Sequence, residues 1–343
     1  MKDKAMTEVK TNTPEKNTEE ITLSNTALKI VFSSYGAGVR SIRIRKNDAC
    51  FENIALTLKP EEADMKNPLY AGATLAPAAG RIEGGVLYLD NVRYPLTKNE
   101  QGKHHLHGGE ENLSFSLWDI TEHTDRTLIF SNSLKDGTDG YPGNRKFSVK
   151  YTLEEHALEI QLYAESDKKT YFNLSNHTYF NLNAFSSSGL NQYLTIQAGQ
   201  VILNNRKHIP QNTINTAGSE FDFLSPVNIG RRIDAYPESI QFRTARGLNH
   251  YFLLSENGES SPACCLTAAD KRTTLRLYTD APALVLYTGG FIDNSSHYEN
   301  DGDEAPAYPG CAIAMEPSYA PFFGKCPYGT KEFNRFIRWE FEG

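Results

Sequence analysis

The 343-residue chain has few cysteines and no long apolar run. Its five cysteines are an odd number, two of them are adjacent, and no Cys-x-x-Cys spacing occurs. Reduced thiols therefore fit better than a disulfide framework. Residues 1–22 are polar and lack the apolar stretch of a secretory signal, and no segment approaches the roughly 20 apolar residues of a membrane span. We expect a cytoplasmic protein that does not cross a membrane.

The sequence also lacks any concentration of charge of one sign. The formal net charge is −7, from 35 basic and 42 acidic residues spread along the chain. Because no basic stripe occurs, we expect neither nucleic acid nor an anionic membrane as a partner. The GxSxG elbow, a GxGxxG loop after a strand and the Walker loop are missing as well, so the enzyme classes that depend on them lack their parts.

Helical periodicity is scarce, whereas short strand-like runs recur along the sequence. In Leu158–Tyr163 every second residue is aliphatic, which is the period-two pattern of a half-buried strand. Turn dipeptides such as Asp136-Gly137 separate the runs, and 229–236 is the one segment that suggests a short helix. We predict an all-β fold, a sandwich or wide antiparallel assembly with few short helices, forming one domain over 23–343 after a disordered polar tail at 1–22.

The segment Asn173–Leu182 combines groups that suit a closely fitted polar ligand. It contains His177 together with three asparagines and the aromatic residues Tyr179 and Phe180. Amides offer paired donors and acceptors, aromatic rings offer an apolar wall, and an imidazole moves protons near neutral pH. A sugar presents the matching mixture of hydroxyls and C–H faces. The alternative is a polar turn whose histidine is satisfied by its neighbours, since most buried polar groups find partners without doing chemistry.

A second segment, Lys103–Gly109, has three histidines within four positions, followed by two glycines. If it forms a strand, His105 and His107 share one face. With Glu111 they loosely match the ligand spacing of cupin-type metal sites, although the second half of that motif is not apparent. A metal site and a loop without a catalytic role are both alternatives here.

Two more groups are candidates for ligand contact or proton transfer. Arg81 follows the small residues 78–80, and a guanidinium placed by a tight turn can donate to two adjacent hydroxyls. Glu316 follows the apolar run Cys311–Met315. A buried carboxylate is costly unless it is paired or hydrogen-bonded, so Glu316 is a candidate base or a member of a structural salt bridge.

Taken in order, these segments resemble the aldose 1-epimerase (galactose mutarotase) family over roughly residues 25–343. The matching segments are Arg81, Leu106-His-Gly-Gly109, Asn176–Leu182, Phe221-Asp-Phe223, Gly247–Phe252, Tyr287–Phe291 and Glu316-Pro317. The resemblance implies an antiparallel β-supersandwich with an open sugar cleft. It also implies an enzyme that interconverts the α and β anomers of a free glucose- or galactose-type hexose without cofactor or metal. Its partner is a monosaccharide, and we expect a monomer or homodimer.

The family resemblance also assigns roles to individual residues. His177 is implied as the general acid and Glu316 as the general base, and the implied sugar-binding residues are Arg81, His107, Tyr179 and Asn249. Ring opening requires a proton delivered to O5 and a proton removed from the C1 hydroxyl. We expect the imidazolium and the carboxylate on opposite sides of the sugar, with their roles exchanged on reclosure. No covalent intermediate is needed.

Three positions depart from the family pattern and bear on the sugar preference. Asn249 stands where the family usually has Asp, Gly80 where it usually has Asn, and Val285 where many members have a ligand-facing Gln. Losing a hydrogen bond to a sugar hydroxyl costs about 0.5–1.5 kcal/mol, and more when a charged partner is lost. We therefore expect mutarotase chemistry on an aldose that need not be galactose.

Three other functions compete with this interpretation. A non-catalytic carbohydrate-binding protein of the same fold would use the aromatic and amide groups but would not need His177 paired with Glu316. A cupin-like metalloenzyme would use His105, His107 and Glu111. A glycosidase would need two carboxylates, and the sequence offers one convincing carboxylate in a motif.

Overall fold

The computed structural model describes residues 18–47, 50–59, 67–255, 260–300, 303–320 and 329–343. Most of the regular structure is strand. The first strands are β1 (Glu20–Ser24), β2 (Leu28–Ser33), β3 (Gly38–Asn47), β4 (Cys50–Asn53), β5 (Thr74–Leu75), β6 (Arg81–Ile82), β7 (Val86–Leu89), β8 (Val92–Pro95) and β9 (His105–Leu106). The middle strands are β10 (Asp119–His123), β11 (Thr127–Leu134), β12 (Arg145–Leu153), β13 (Ala157–Thr170), β14 (Ser175–Asn176), β15 (Tyr179–Phe180), β16 (Tyr193–Ile196), β17 (Ala198–Asn204), β18 (Pro210–Asn215) and β19 (Val227–Asn228). The last strands are β20 (Asn249–Leu254), β21 (Cys264–Thr267), β22 (Thr274–Thr279), β23 (Ala283–Tyr287), β24 (His297–Asn300), β25 (Asp303–Pro306), β26 (Ile313–Ser318) and β27 (Thr330–Glu342).

Helices are short. The α-helices are α1 (Ile229–Asp234) and α2 (Ile240–Ala245), and single 3-10 turns occur at Glu83–Gly85, Leu113–Phe115, Thr138–Gly140 and Gly189–Asn191. Helix α1 confirms the helix predicted over 229–236, whereas α2 was not predicted. Each α-helix begins after a capping side chain, Asn228 or Ser239, whose oxygen accepts a hydrogen bond from a backbone N–H of the first turn. None of the helices in the described part of the chain has the length and apolar character of a membrane span.

Two large antiparallel sheets make up the body of the fold. One has nine strands in the order β10-β11-β12-β13-β27-β22-β21-β16-β19, and the other has six in the order β15-β26-β23-β20-β17-β18. A four-stranded sheet, β1-β2-β3-β4, and four two-stranded sheets, β5 with β14, β6 with β9, β7 with β8 and β24 with β25, complete the assembly. Strand β1 includes residues 20–22, so the end of the predicted tail is part of a sheet, and residues 1–17 lie outside the described residues.

The alternating sequence pattern explains how the nine-stranded sheet buries one face. In β13 the aliphatic residues Leu158, Ile160 and Leu162 are fully buried, while the residues that alternate with them, 159, 161 and 163, are partly or fully exposed. Strand β27 pairs with β13 and buries Ile337, Trp339 and Phe341 in the same alternating way. The period-two prediction for Leu158–Tyr163 is confirmed.

The core lies between the two large sheets. The Trp339 ring of β27 packs edge-on against Phe180 of β15, with ring centroids 5.1 Å apart. Cys264 of β21 and Met315 of β26 meet in the same layer, with their sulfur atoms 3.5 Å apart. Because both sheets contribute to one hydrophobic cluster, the predicted sandwich, an antiparallel β-supersandwich, is confirmed. The four described cysteines form no disulfide.

The other face of the six-stranded sheet faces a cleft. In β26, Ile313 and Met315 point into the core, so Glu316, the residue after Met315, points away from it. Glu316 lies directly opposite Val285 of β23, and Tyr287 of β23 lies opposite Asn249 of β20. Residues opposite one another on paired strands share a face. The pleat therefore gathers three distant parts of the chain on one surface, which we call the cleft face.

Candidate functional site

His177 occupies the short link between β14 and β15, and its backbone is held on both sides. Its N–H donates to the Ala73 carbonyl (2.9 Å), and its carbonyl accepts from the Gly72 N–H (3.1 Å). Gly72 has a φ of +70°, and a Cβ there would lie 1.9 Å from the Val39 carbonyl oxygen. A side chain at residue 72 is therefore excluded. Glycine lets the backbone at residue 72 approach Val39 closely while it holds the backbone of His177 in place.

The asparagines around His177 turn out to be structural. Asn173 binds the Ala79 and Tyr319 backbone, and Asn176 donates to the Gly72 carbonyl at 3.0 Å while accepting from Thr178. Asn181 likewise binds backbone carbonyl groups. All three are fully buried. The amides that we considered as ligand groups instead satisfy buried backbone, which is the alternative stated for this segment, while the imidazole they surround reaches the cleft.

His107 approaches His177 from a different loop. It follows β9 with a φ of +47°, and its Nδ1 accepts a hydrogen bond from the Gly80 N–H at 3.2 Å. With Nδ1 used as an acceptor, a neutral His107 carries its proton on Nε2. Asn99 clamps this loop through hydrogen bonds to the backbone of Leu106 and Gly109.

The expectation that His105 and His107 share a face is wrong. His105 is fully buried, and its ring nitrogens contact the Thr97 carbonyl and the Tyr141 hydroxyl, each at 2.7 Å. Strand β9 ends at Leu106, so the positive φ of His107 turns that residue away from its neighbour. Since Glu111 is exposed and both His105 nitrogens are used, these residues do not form the cupin-type set.

His177 and Glu316 meet inside the cleft. The distance between His177 Nε2 and Glu316 Oε1 is 3.4 Å, and each side chain is 5% exposed. The sequence suggested that Glu316 follows an apolar strand, but the residue lies within β26. The two groups are neighbours on one surface, not on opposite sides of a sugar-sized space. O5 and O1 of a pyranose are bonded to the same carbon, so adjacent groups can serve both.

Three tyrosines enclose this pair. The Tyr179 ring centroid lies 4.8 Å from that of His177, and the Tyr70 centroid lies 4.8 Å from that of His107. Tyr287 lies 6.0 Å from Tyr179, and its hydroxyl oxygen accepts from the Phe291 N–H. Burial raises the pKa of Tyr70 and of Tyr287 to about 12, so both remain neutral phenols near pH 7.

Arg81 is held by a partner that the sequence did not indicate. Its Nε and Nη2 donate to the Glu100 carboxylate at distances of 2.7 to 3.0 Å, a bidentate geometry. Both side chains are about one-fifth exposed. Glu100 lies in the turn between β8 and β9, where its backbone pairs with that of His104.

The six predicted site residues line one cavity of about 330 Å³: Arg81, His107, His177, Tyr179, Asn249 and Glu316. Ligand pockets run from about 300 to 1,000 Å³, so this one suits a small ligand. Gly80 and Val285, two positions that depart from the family pattern, also line it. Sequence reasoning missed Tyr70, Glu100 and His208, which line it too. No motif marks them, because all three lie in turns whose spatial neighbours come from other segments.

Burial sets the protonation of the central groups. It lowers the pKa of His177 to about 4 and raises the pKa of Glu316 to about 8, an increase that the Arg81 charge opposes. The pKa of His107 also lies well below its usual value because of burial and the nearby His177 and Arg81. Near pH 7 Glu316 therefore carries a proton and both imidazoles are neutral.

His107, His177 and Glu316 also offer the donor set of a metal site. One atom from each lies within 4.8 Å of the others. Zinc takes ligands at about 2.0–2.2 Å, which places neighbouring donors about 3.4 Å apart. The His177–Glu316 separation matches that spacing, whereas the 4.8 Å limit that holds for all three donors is wider than it. The arrangement suits proton transfer without rearrangement.

Sequence comparison identifies relatives with a common activity. A family model described as aldose 1-epimerase matches residues 19–321. The Escherichia coli K12 protein named aldose 1-epimerase is 32% identical over 276 residues, covering 79% of each chain. The galactose mutarotase of Bos taurus is 29% identical over 283 residues, covering 81% of this chain and 79% of its own.

Solved structures share the architecture. A galactose 1-epimerase from Lactobacillus acidophilus superposes with a TM-score of 0.81 at 28% identity, covering 96% of both chains. A GalM/aldose epimerase homologue from C. elegans gives a TM-score of 0.83 at 22% identity, covering 95% of this chain and 99% of the other, and shows the fold alone.

Proposed function

The chain belongs to the aldose 1-epimerase family, and we propose that it interconverts the anomers of a free hexose with His177 as general acid and Glu316 as general base. It is an isomerase that acts on carbohydrate. The observation that carries the assignment of roles is the 3.4 Å separation between His177 Nε2 and Glu316 Oε1, two side chains that line one cavity and are each 5% exposed.

In this proposal the two groups act on atoms bonded to the same anomeric carbon. The imidazolium donates its Nε2 proton to O5 while the carboxylate takes the proton of the O1 hydroxyl, so the C1–O5 bond breaks and a C1 aldehyde forms. Rotation about C1–C2 presents the opposite aldehyde face to the O5 hydroxyl. Reclosure returns both protons with the roles reversed. Each proton transfer contributes about 10²–10⁴-fold.

The protonation of the two groups supports this chemistry. The pair holds one proton near pH 7, and moving it from Glu316 to His177 creates an ion pair without changing the net charge of the buried site. A bound sugar stabilises that charge-separated form, because its O1 hydroxyl donates to the carboxylate and its O5 accepts from the imidazolium. Burial disfavours a charge on His177 alone and a charge on Glu316 alone. It therefore favours a pair in which one proton can move between the two groups.

The remaining predicted residues contact the sugar in this proposal. His107 presents an Nε2 proton beside His177 and can donate to the ring oxygen or a hydroxyl, since Gly80 occupies its Nδ1. Arg81 contributes the part of its guanidinium that Glu100 does not use. Tyr179 supplies an apolar surface, because its hydroxyl already donates to the Leu69 carbonyl. Asn249, the first residue of β20, offers an uncharged amide.

We propose a glucose- or galactose-type hexose as substrate, in line with the names of the relatives. Val285 lies directly opposite Glu316 and is apolar. The glutamine that many family members have at this position could bind a sugar hydroxyl through its amide, and valine cannot. Asn249 replaces a charged acceptor by a neutral one. We therefore expect looser discrimination between hydroxyl epimers than a cavity with a carboxylate at residue 249 would give.

A mutarotation assay across free aldoses tests the proposal. Polarimetry of freshly dissolved α-glucose, α-galactose and pentose anomers should show acceleration over the spontaneous rate, and His177→Asn should abolish it. A non-catalytic sugar-binding protein would leave the rate unchanged for every sugar while still binding in calorimetry. That outcome would favour the second candidate, although nothing about a binding role alone requires the buried His177–Glu316 pair.

We further propose that the enzyme is cytoplasmic, which the unpaired cysteines of the described residues support. Its partner in this proposal is a free monosaccharide. The oligomeric state, a monomer or a homodimer, stays a prediction.

A further inference from the structure

We propose that Glu100 binds the sugar and, together with Arg81, determines which aldose the cleft prefers. The proposal rests on the proposed function for the identity of the ligand as a free aldose. It also takes from that function the commitment of Glu316 to the anomeric centre.

Glu100 stands out by charge among the groups facing the cavity. Among the described lining residues, Glu100 and Glu316 are the two carboxylates, and Arg81 is the one residue with a permanent positive charge. Glu316 is committed to the anomeric centre in the proposed chemistry. Glu100 is therefore the remaining charged acceptor that can reach a sugar hydroxyl.

The ion pair leaves unused capacity on both partners. A carboxylate has about four acceptor sites, and the three hydrogen bonds from Arg81 use Oε1 twice and Oε2 once. On the guanidinium they use Nε and Nη2, and among the described residues no other hydrogen bond to Arg81 side-chain atoms is found. The pair therefore offers a sugar one charged donor and one charged acceptor, side by side. Two neighbouring hydroxyls fit this arrangement when one accepts and the other donates.

The location of Glu100 favours binding over a purely structural role. Its side chain is 19% exposed, on the wall of the cavity, and the turn that carries it is already paired through backbone contacts with His104. Asn249 lies on the cleft face and brings no charge to the cavity. In this chain the charged groups that can bind the non-anomeric hydroxyls are therefore Arg81 and Glu100.

Calorimetry with a catalytically silenced protein tests the proposal independently of turnover. In a His177→Asn background, adding Glu100→Gln should weaken binding of the preferred aldose about ten- to a hundredfold, as expected for a lost charged hydrogen bond. A series of monodeoxy sugars should contain one member whose weaker binding to the parent protein disappears with Glu100→Gln. Glu83→Gln, an exposed change in the adjacent 3-10 turn, is the matched control and should bind normally.

Two outcomes would overturn the proposal. One is equal weakening for every deoxy sugar, which would indicate a general structural effect. The other is no further loss when Glu100→Gln is added to Arg81→Gln, which would mean that Glu100 acts only by holding Arg81. Glu100→Asp, which keeps the charge, should retain more affinity than Glu100→Gln if the latter proves unstable. Absence of mutarotation by the wild-type protein would contradict the proposed function instead, and would leave these binding results interpretable.

Discussion

Replacing Glu316 by glutamine removes the proposed base while keeping the shape of the side chain. Loss of general acid–base assistance costs about 10²–10⁴-fold in rate. The side chain is only 5% exposed, so bulk water cannot take its place. We therefore expect the upper half of that range, about 10³–10⁴-fold in kcat, which is about 4–5.5 kcal/mol of transition-state stabilisation at 1.36 kcal/mol for each factor of ten. The KM should change little, since the amide still accepts a hydrogen bond.

The assay is polarimetric mutarotation of freshly dissolved α-galactose or α-glucose, with the spontaneous rate subtracted. Glu165→Gln is a matched control, because that glutamate lies on the nine-stranded sheet and pairs with Lys146 outside the cavity. His156→Asn is the matched control for the histidine, since its ring is exposed. Both controls should retain wild-type turnover, and urea unfolding should show that all variants are folded.

The double variant His177→Asn with Glu316→Gln gives the sharper test. If the two groups share one proton and act as a unit, removing both should cost about as much as removing either one, because their effects are not additive. Multiplication of the two single losses would show that they act independently. A Glu316→Gln variant within about threefold of wild-type turnover would refute its role as base.

Three further predictions concern pH, metal and sugar preference. The kcat/KM profile should be flat between about pH 4 and about pH 8. It should fall below that range as His177 takes up a second proton, and above it as Glu316 loses the shared proton. A decline that already begins at about pH 6, inside that range, would contradict a raised Glu316 pKa. Activity should persist after prolonged dialysis against a chelator, with residual metal measured by elemental analysis, whereas loss that zinc restores would revive the metalloenzyme alternative. Asn249→Asp should alter the ratio of kcat/KM for galactose and glucose about threefold or more through a charged hydrogen bond, and an unchanged ratio would remove our interpretation of that position.

The pH prediction shows what the sequence could not supply. From residue types alone, activity would be expected to fall in acid as a glutamate with an ordinary pKa is protonated. Burial of Glu316 between paired strands raises its pKa, so the acid limb moves to the titration of His177 instead. Burial depends on which strands pair, and that is a property of the folded chain.

The sandwich could be predicted because alternation is a local signal. Leu158, Ile160 and Leu162 mark one face without any reference to the rest of the chain. The pairing order could not be predicted, since β13 pairs with β27, whose residues lie more than 150 positions later. The register that sets Val285 opposite Glu316 is equally non-local.

Side-chain roles divide along the same line. Asn173, Asn176 and Asn181 have the composition of a binding site but bind backbone, because buried carbonyl and amide groups in the connections between sheets must be satisfied. His105 and His107 look equivalent in sequence, and a single positive φ sends one to the core and the other to the cavity. Glu100 carries no motif at all, yet it forms the tightest contact of Arg81.

The energetics of Glu316 argue against the structural salt bridge that the sequence left open. Its pKa rises from 4.5 to about 8 on folding. A carboxyl group with a raised pKa stabilises the fold least at high pH, so its contribution is fully present below pH 4.5 and is lost as the pH rises to about 8. At about pH 7, some 2.5 units above the unfolded value, burying this group costs about 3 kcal/mol at 1.36 kcal/mol per unit. A buried pair that destabilises the fold near neutral pH is poorly explained as a structural element. It is well explained as a proton-transfer pair, because the same loss of solvent that makes each charge unfavourable alone makes a shared proton easy to move.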